Sequence, residues 1–225
     1  MPGPGRVAQD SPEATRLFEL RSDPVRDLAT QAGAVAEACH AMAIRFHGGG
    51  KLIVFGTGSA SADAQHVAVE FVHPVIVGKR ALPAISLTTD VATVTGIAER
   101  EGVASIFAHQ LRYLADPADI ALGISSSYGG DGNGNDSVLA GLVAARELGL
   151  LTIALVGADC SAGGGGSAGG GGRIARTRVA DHVLMAASDD PRVIKEMHVT
   201  TYHILWELVH VFFEQPGVLD PGVVP

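Results

Sequence analysis

The sequence predicts an α/β fold of three layers, with a central five-stranded parallel sheet between helices and a helical segment ahead of it. Three observations predict it. Five short segments are apolar throughout, as strands buried on both faces must be. Stretches with apolar residues at helical spacing separate most of them. Glycines and small hydroxyl residues gather where strands end, which is where open parallel sheets bind ligands.

Taken in order, residues 1–11 are polar and turn-forming and are expected to be a disordered tail before a helix that starts near Ser11. From Pro24 to Phe46 the apolar spacing predicts one long helix that feeds a buried strand, KLIVFG, at 51–56. Further strands are expected at ALPAISL (81–87), DIALGIS (119–125), LTIALVG (151–157) and HVLMAA (182–187). The helical patterns are SADAQHVAVEFV, VASIFAHQLRYLA and DSVLAGLVAARELG, and a last helix carries PRVIKEMHVTTYHILWELVHVFF. A single domain over 12–214 follows, with a C-terminal tail at 215–225. Residues 158–173 are glycine-rich and of low complexity, so they are expected to form a mobile loop. They lack the Lys-Ser/Thr ending that a phosphate-cradling Walker loop needs.

With 225 residues, 47% of them apolar, the chain can build a sizeable core. Sixteen Lys and Arg against 24 Asp and Glu give a net charge of −8 with no basic block, which argues against nucleic acid and anionic membrane as partners. Cys39 and Cys160 stand at no metal-type spacing, so neither a disulfide scaffold nor a cysteine metal site is expected. The N-terminus has no apolar signal core and no apolar run approaches a membrane span of about 18 residues. The expected location is the cytoplasm.

Two loops carry the residue types that anion binding needs. In GTGSASADAQH, Gly56 and Gly58 allow a tight turn, and Thr57, Ser59 and Ser61 offer hydroxyls at the start of a helix whose free N–H groups attract an anion. In GISSSYGGDGNGNDS, Ser125, Ser126 and Ser127 follow a strand directly, and Asp136 or Ser137 stands ready to cap the next helix. Turn and cap chemistry alone explains the serine run equally well. Ionisable groups then mark two helices. His66 and Glu70 stand four apart and share a face, suited to acid–base work or to metal binding. In the last helix Lys195, Val199 and His203 are successively four apart, and Glu207 and His210 continue roughly the same stripe. A His–Glu pair on a helix is most often a solvated surface pair, but AVEFV and YHILWELVHVF leave little solvated face here.

These stretches resemble the SIS (sugar isomerase) family, and within it the phosphoheptose isomerases. GTGSASADAQHVAVEFV is similar to their glycine-serine loop and the His-x-x-x-Glu helix behind it. GISSS with AARELGLLTIALVG is similar to their serine-rich phosphate loop and next strand, and IKEMHVTTYHILWELVH to their C-terminal catalytic helix. The resemblance spans about 25–214. It implies an aldose–ketose isomerase of carbohydrate metabolism that converts sedoheptulose 7-phosphate to D-glycero-D-manno-heptose 7-phosphate through an enediol. It further implies Glu70 as the base between C1 and C2, His203 as the partner acid–base, and Ser125 to Ser127 as the phosphate loop, beside the anion site that Thr57, Gly58, Ser59 and Ser61 offer by their own chemistry. A homotetramer with shared active sites is implied as well.

No cofactor follows from the residues alone, but in zinc-containing members His66, Glu70 and His203 would be ligands along with a glutamine. That glutamine falls at Lys195, whose ammonium offers no lone pair, so either the metal is absent and Lys195 supplies positive charge to the substrate in its place, or Lys195 is displaced or deprotonated, or another group such as Glu196 or His198 serves instead. The first loop reads G-T-G-S-A instead of G-N-G-G-S, the serine loop carries an insertion at YGGDGNG, and Glu99, Arg100 and Glu101 stand where an Asn-Asp pair is expected. The competing reading is a noncatalytic SIS module that binds a sugar phosphate or a protein partner.

Overall fold

The computed structural model describes residues 11–125, 137–157, 174, 177–215 and 217–219. Ser126, Ser127, Asp136, Cys160, the glycine-rich stretch at 158–173 and residues 1–10 lie outside the described residues, so the expectations that fall on them are not tested there.

Helix α1 spans Pro12–Thr30, with the Ser11 hydroxyl accepting from Ala14 N–H at 3.3 Å and proline in the first turn, where its missing N–H costs nothing. The expected single helix from Pro24 to Phe46 is therefore incorrect. Pro24 sits buried inside α1, and the chain breaks at Gln31 before α2 (Ala32–His47). The break has a physical role. Gln31 turns its side-chain amide onto strand β5 (His182–Ala186), accepting from Met185 N–H at 3.0 Å and donating to Met185 C=O at 2.8 Å. A side chain thereby satisfies backbone groups on the free edge of the sheet.

The remaining elements are β1 (Leu52–Gly56), α3 (Ser59–Val72), β2 (Ala84–Ser86), α4 (Val91–Glu101), a 3₁₀ turn (Val103–Ser105), α5 (Ile106–Leu114), β3 (Ile120–Ser125), α6 (Ser137–Glu147), β4 (Leu151–Gly157) and, after β5, the long α7 (Pro191–Glu214). All strand pairs are parallel, in the order β2-β1-β3-β4-β5. The expectation of five buried strands holds for β1, β3 and β4. The edge strands β2 and β5 are only partly buried, because each has a neighbour on one side. Helix α4 escaped the sequence reading. Asp90 caps it, accepting from Ala92 and Thr93 N–H at 3.0 and 3.1 Å, and Glu99 to Glu101 form its last turn.

Alternate strand residues feed two cores, as a period of two requires. Leu52, Val54, Leu122, Ile153 and Leu155 pack with α2, α3 and α7, while Ile53, Phe55, Ala121 and Ala154 pack with α5 and α6. Among the described residues no helix is long and apolar enough to cross a membrane. The strand order reverses between β1 and β3, with Gly56 in register beside Ile124. The ends of β1 and β3 therefore lie side by side at the topological switch point of the sheet, where sheets of this kind form their ligand crevice.

Candidate active site

The first loop is shaped by glycine. A Cβ on Gly56 would stand 2.9 Å from the Ala60 carbonyl oxygen and 2.9 Å from that of Ile124, so α3 can start this close to the sheet only behind a residue without a side chain. Gly58, at φ 57° and ψ −127°, occupies a conformation that other residues rarely adopt. The turn opens onto a cavity of about 210 Å³ lined on its polar side by Thr57, Gly58, Ser61 and Thr88 and on its apolar side by Val94, Ile106 and Phe107. Ser61 Oγ donates to Gly58 C=O at 2.7 Å, and Thr88 Oγ1 donates to Ser61 C=O at 3.2 Å, which ties the end of β2 to the first turn of α3. Ser125 is buried at the end of β3.

Two turns along α3 the ionisable residues meet those of α7. Ligand atoms of His66, Glu70 and His203 all lie within 4.8 Å of one another. His66 Nε2 is 3.1 Å from Glu70 Oε1, and His66 Nδ1 is 2.9 Å from the hydroxyl of Tyr202, so the hydroxyl donates to Nδ1 while Nε2–H donates to the carboxylate. His203 Nδ1–H donates to Val199 C=O at 2.8 Å, which leaves its Nε2 lone pair open. Glu70 is 7% exposed, and its second oxygen, Oε2, is buried and has no hydrogen-bond partner among the described residues. Burial, followed by the negative charges of Asp63 and Glu70, holds the Tyr202 hydroxyl well above the usual phenol range, so it stays protonated.

Lys195 lies nearer the start of α3. Its ammonium donates to both oxygens of Asp63 at 2.6 Å and to Ser59 C=O at 3.2 Å. The other candidates of the last helix do not join the cluster. Glu196 is held by Arg21 of α1 at 2.6 and 2.8 Å, Glu207 is exposed, and His210 bonds the carbonyls of Trp206 and Arg80. The expected stripe fails because steps of four residues walk about 40° round a helix each time, so Glu207 has turned about 120° from Lys195. His198 is 2% exposed, and among the described residues its ring nitrogens meet no well-formed hydrogen-bond partner, only a marginal approach to the Val156 backbone.

Burial pushes the His198 imidazole down to about 4, with the Val156 backbone and Asp63 opposing and Lys195 reinforcing. Its folded value lies below the unfolded one, so between these two values the unfolded chain binds a proton that the folded chain refuses. Stability is present above about pH 6.5 and is lost as pH falls toward 4, by about 3 kcal/mol in full. Urea midpoints are expected to fall between pH 7 and pH 5, and His198→Leu is expected to flatten that slope; equal slopes would contradict the assignment.

Residues 22–157 match the SIS domain family. The chain belongs to the SIS domain family. Within it, the chain is 36% identical over 209 residues to the phosphoheptose isomerase of Solidesulfovibrio magneticus, covering 92% of this chain and 93% of the relative. Against the phosphoheptose isomerase of Geobacter sulfurreducens it is 39% identical over 178 residues, covering 79% and 85%. Its fold matches the structure of a phosphoheptose isomerase from Francisella tularensis with a TM-score of 0.76 at 28% identity, over 88% of this chain and 97% of that one. The enzyme from Neisseria gonorrhoeae gives 0.73 at 26% identity over the same shares.

In this SIS domain two imidazoles and a carboxylate form a donor set of a kind that can hold a metal ion, with His203 already oriented through its other nitrogen. Lys195 is no fourth ligand, because its protons go to Asp63 and Ser59. Sequence reasoning missed Asp63, Thr88 and Tyr202. Asp63 shares the Glu70 face, seven residues earlier on α3, and that spacing was the available signal; nothing marked Tyr202 as more than a core aromatic.

Proposed function

We propose that this SIS domain is a phosphosugar aldose–ketose isomerase acting on sedoheptulose 7-phosphate to give D-glycero-D-manno-heptose 7-phosphate. The observation that carries the reading is the meeting of Glu70 and His203, whose ligand atoms lie within 4.8 Å of each other, with Glu70 Oε2 buried and lacking a partner among the described residues and His203 Nδ1 taken by Val199 C=O. Glu70 removes a proton from C1, and the electron pair of that bond forms the C1–C2 double bond of an enediolate. O1 gives its proton to His203 Nε2, which returns it to O2. Glu70 then delivers its proton to C2 as the C1 carbonyl forms. A carboxylate screened from water and already bonded to His66 is a suitable base for this transfer.

The phosphate is assigned to Thr57, Gly58, Ser59 and Ser61 with Ser125, Ser126 and Ser127, across the switch point. Lys195, bound to Ser59 at the same end of α3, is assigned to the substrate, its charge balanced by Asp63. If a zinc ion is bound, His66, Glu70 and His203 hold it and it polarises the sugar carbonyl. The buried free thiol of Cys39, pushed up to about 12 by burial, is compatible with a cytoplasmic location.

A homotetramer with shared sites is proposed with it. Phe18 on α1, at 76% exposure, and Val75 and Val77 after α3, at 72% and 101%, are large apolar side chains that a subunit contact would cover. Light scattering is expected to give four times the 23.1 kDa chain mass; a monomer would reject this part. The reaction itself is tested by incubating the purified protein with sedoheptulose 7-phosphate and assaying the aldose. Tight binding without any product would favour a noncatalytic sugar-phosphate module.

A further inference from the structure

His66 stands at the rim of the cluster with 44% of its side chain exposed, yet both of its ring nitrogens are engaged. Glu70 takes one. The other is taken by Tyr202, a residue 136 positions away whose side chain is buried and whose hydroxyl has this nitrogen as its partner among the described residues. The rings of Tyr202 and His66 meet edge to face, with centroids 5.5 Å apart at 77°, and Tyr202 also lies 4.8 Å from the ring of His203. Consecutive residues of α7 thus clasp the histidine of α3.

The hydrogen bonding of Tyr202 has a definite consequence. A phenol keeps its proton at neutral pH, so its hydroxyl donates to Nδ1 and the imidazole carries its own proton on Nε2. That proton is spent on Glu70 Oε1, which leaves Oε2 as the carboxylate oxygen without a partner among the described residues. Without the hydroxyl, an exposed imidazole is held at one end only and can swing toward water, taking the orientation of the carboxylate with it.

We propose that Tyr202 is a positioning residue for the isomerase, fixing the ring and tautomer of His66 so that Glu70 keeps one oxygen bonded and presents the other to the substrate. The proposal rests on Glu70 being the base. Because a hydroxyl both donates and accepts, the same contact holds the ring if a metal replaces the proton on Nε2 and Nδ1 becomes the donor. A packing role alone would be served equally well by phenylalanine.

The test is Tyr202→Phe, which keeps the ring and removes the hydroxyl. On the chelator-treated full-length protein, nitrogen-15 spectra of the histidine side chains are expected to show His66 protonated at Nε2, with Nδ1 as a hydrogen-bonded acceptor. In the variant the Nδ1 resonance moves toward that of a nitrogen with no donor. Expected alongside are a kcat about tenfold lower, as for loss of an outer hydrogen bond to a site histidine, with an unchanged KM and an unchanged melting temperature. An unmoved His66 nitrogen resonance overturns the proposal, and so does an unchanged kcat. If Glu70→Gln has no effect on turnover, the isomerase reading fails; if Glu70→Gln is inactive while Tyr202→Phe matches the unmodified chain, the role of Tyr202 fails alone.

Discussion

Replacing Glu70 by glutamine is expected to lower kcat on sedoheptulose 7-phosphate by about 10²- to 10⁴-fold, the range that a positioned general base contributes. The substitution keeps shape and volume. Its amide oxygen can still accept from His66 Nε2–H, as Oε1 does now at 3.1 Å, so the contact between α3 and the cluster survives. What changes is the other atom: a buried acceptor with no partner becomes an NH₂ that cannot take a proton from C1. The loss should therefore fall on kcat, with KM and the melting temperature close to those of the unmodified chain. Turnover within a fewfold of the original would remove Glu70 from the chemistry and the proposed mechanism with it.

How much of this was legible in the sequence depends on where each signal came from. β1, β3 and β4 were found almost to the residue because interior strands of a parallel sheet must be apolar on both faces. The expected segment at 81–87 shortened to Ala84–Ser86 because an edge strand carries a weaker demand. Helix α4 was hidden because VATVTGIAERE mixes Thr and Gly into its face and buries only Ile97, leaving the Asp90 cap as its clearest mark.

At the site, the local spacing of His66 and Glu70 was readable, since a helix guarantees that residues four apart are neighbours. Tyr202 and Asp63 were not readable in the same way. Their partners lie 136 and 132 residues away, and only the packing of α3 against α7 brings them together. Lys195 shows the same limit from the other side. The sequence placed a cation near a cluster of metal-ligand type, and only its bonds to Asp63 and Ser59 reveal that the charge is already answered.

Replacing His203 by glutamine is expected to be nearly as damaging, about 10²-fold or more in kcat. Its hydrogen bond to Val199 C=O pins the proton on Nδ1 and leaves Nε2 as a lone pair, on a side chain that the fold brings to Glu70. Only a group that can take a proton from O1 and hand it to O2 serves there, and an amide does neither near neutral pH. Since His203 is only partly buried, the fold should tolerate the change. The double variant gives the sharper result. Groups that move protons in one transition state fail together, so Glu70→Gln with His203→Gln is expected to be scarcely worse than Glu70→Gln alone. If the two losses multiplied in full, Glu70 and His203 would be acting independently, and the shared proton transfer across the α3–α7 contact would have to be abandoned.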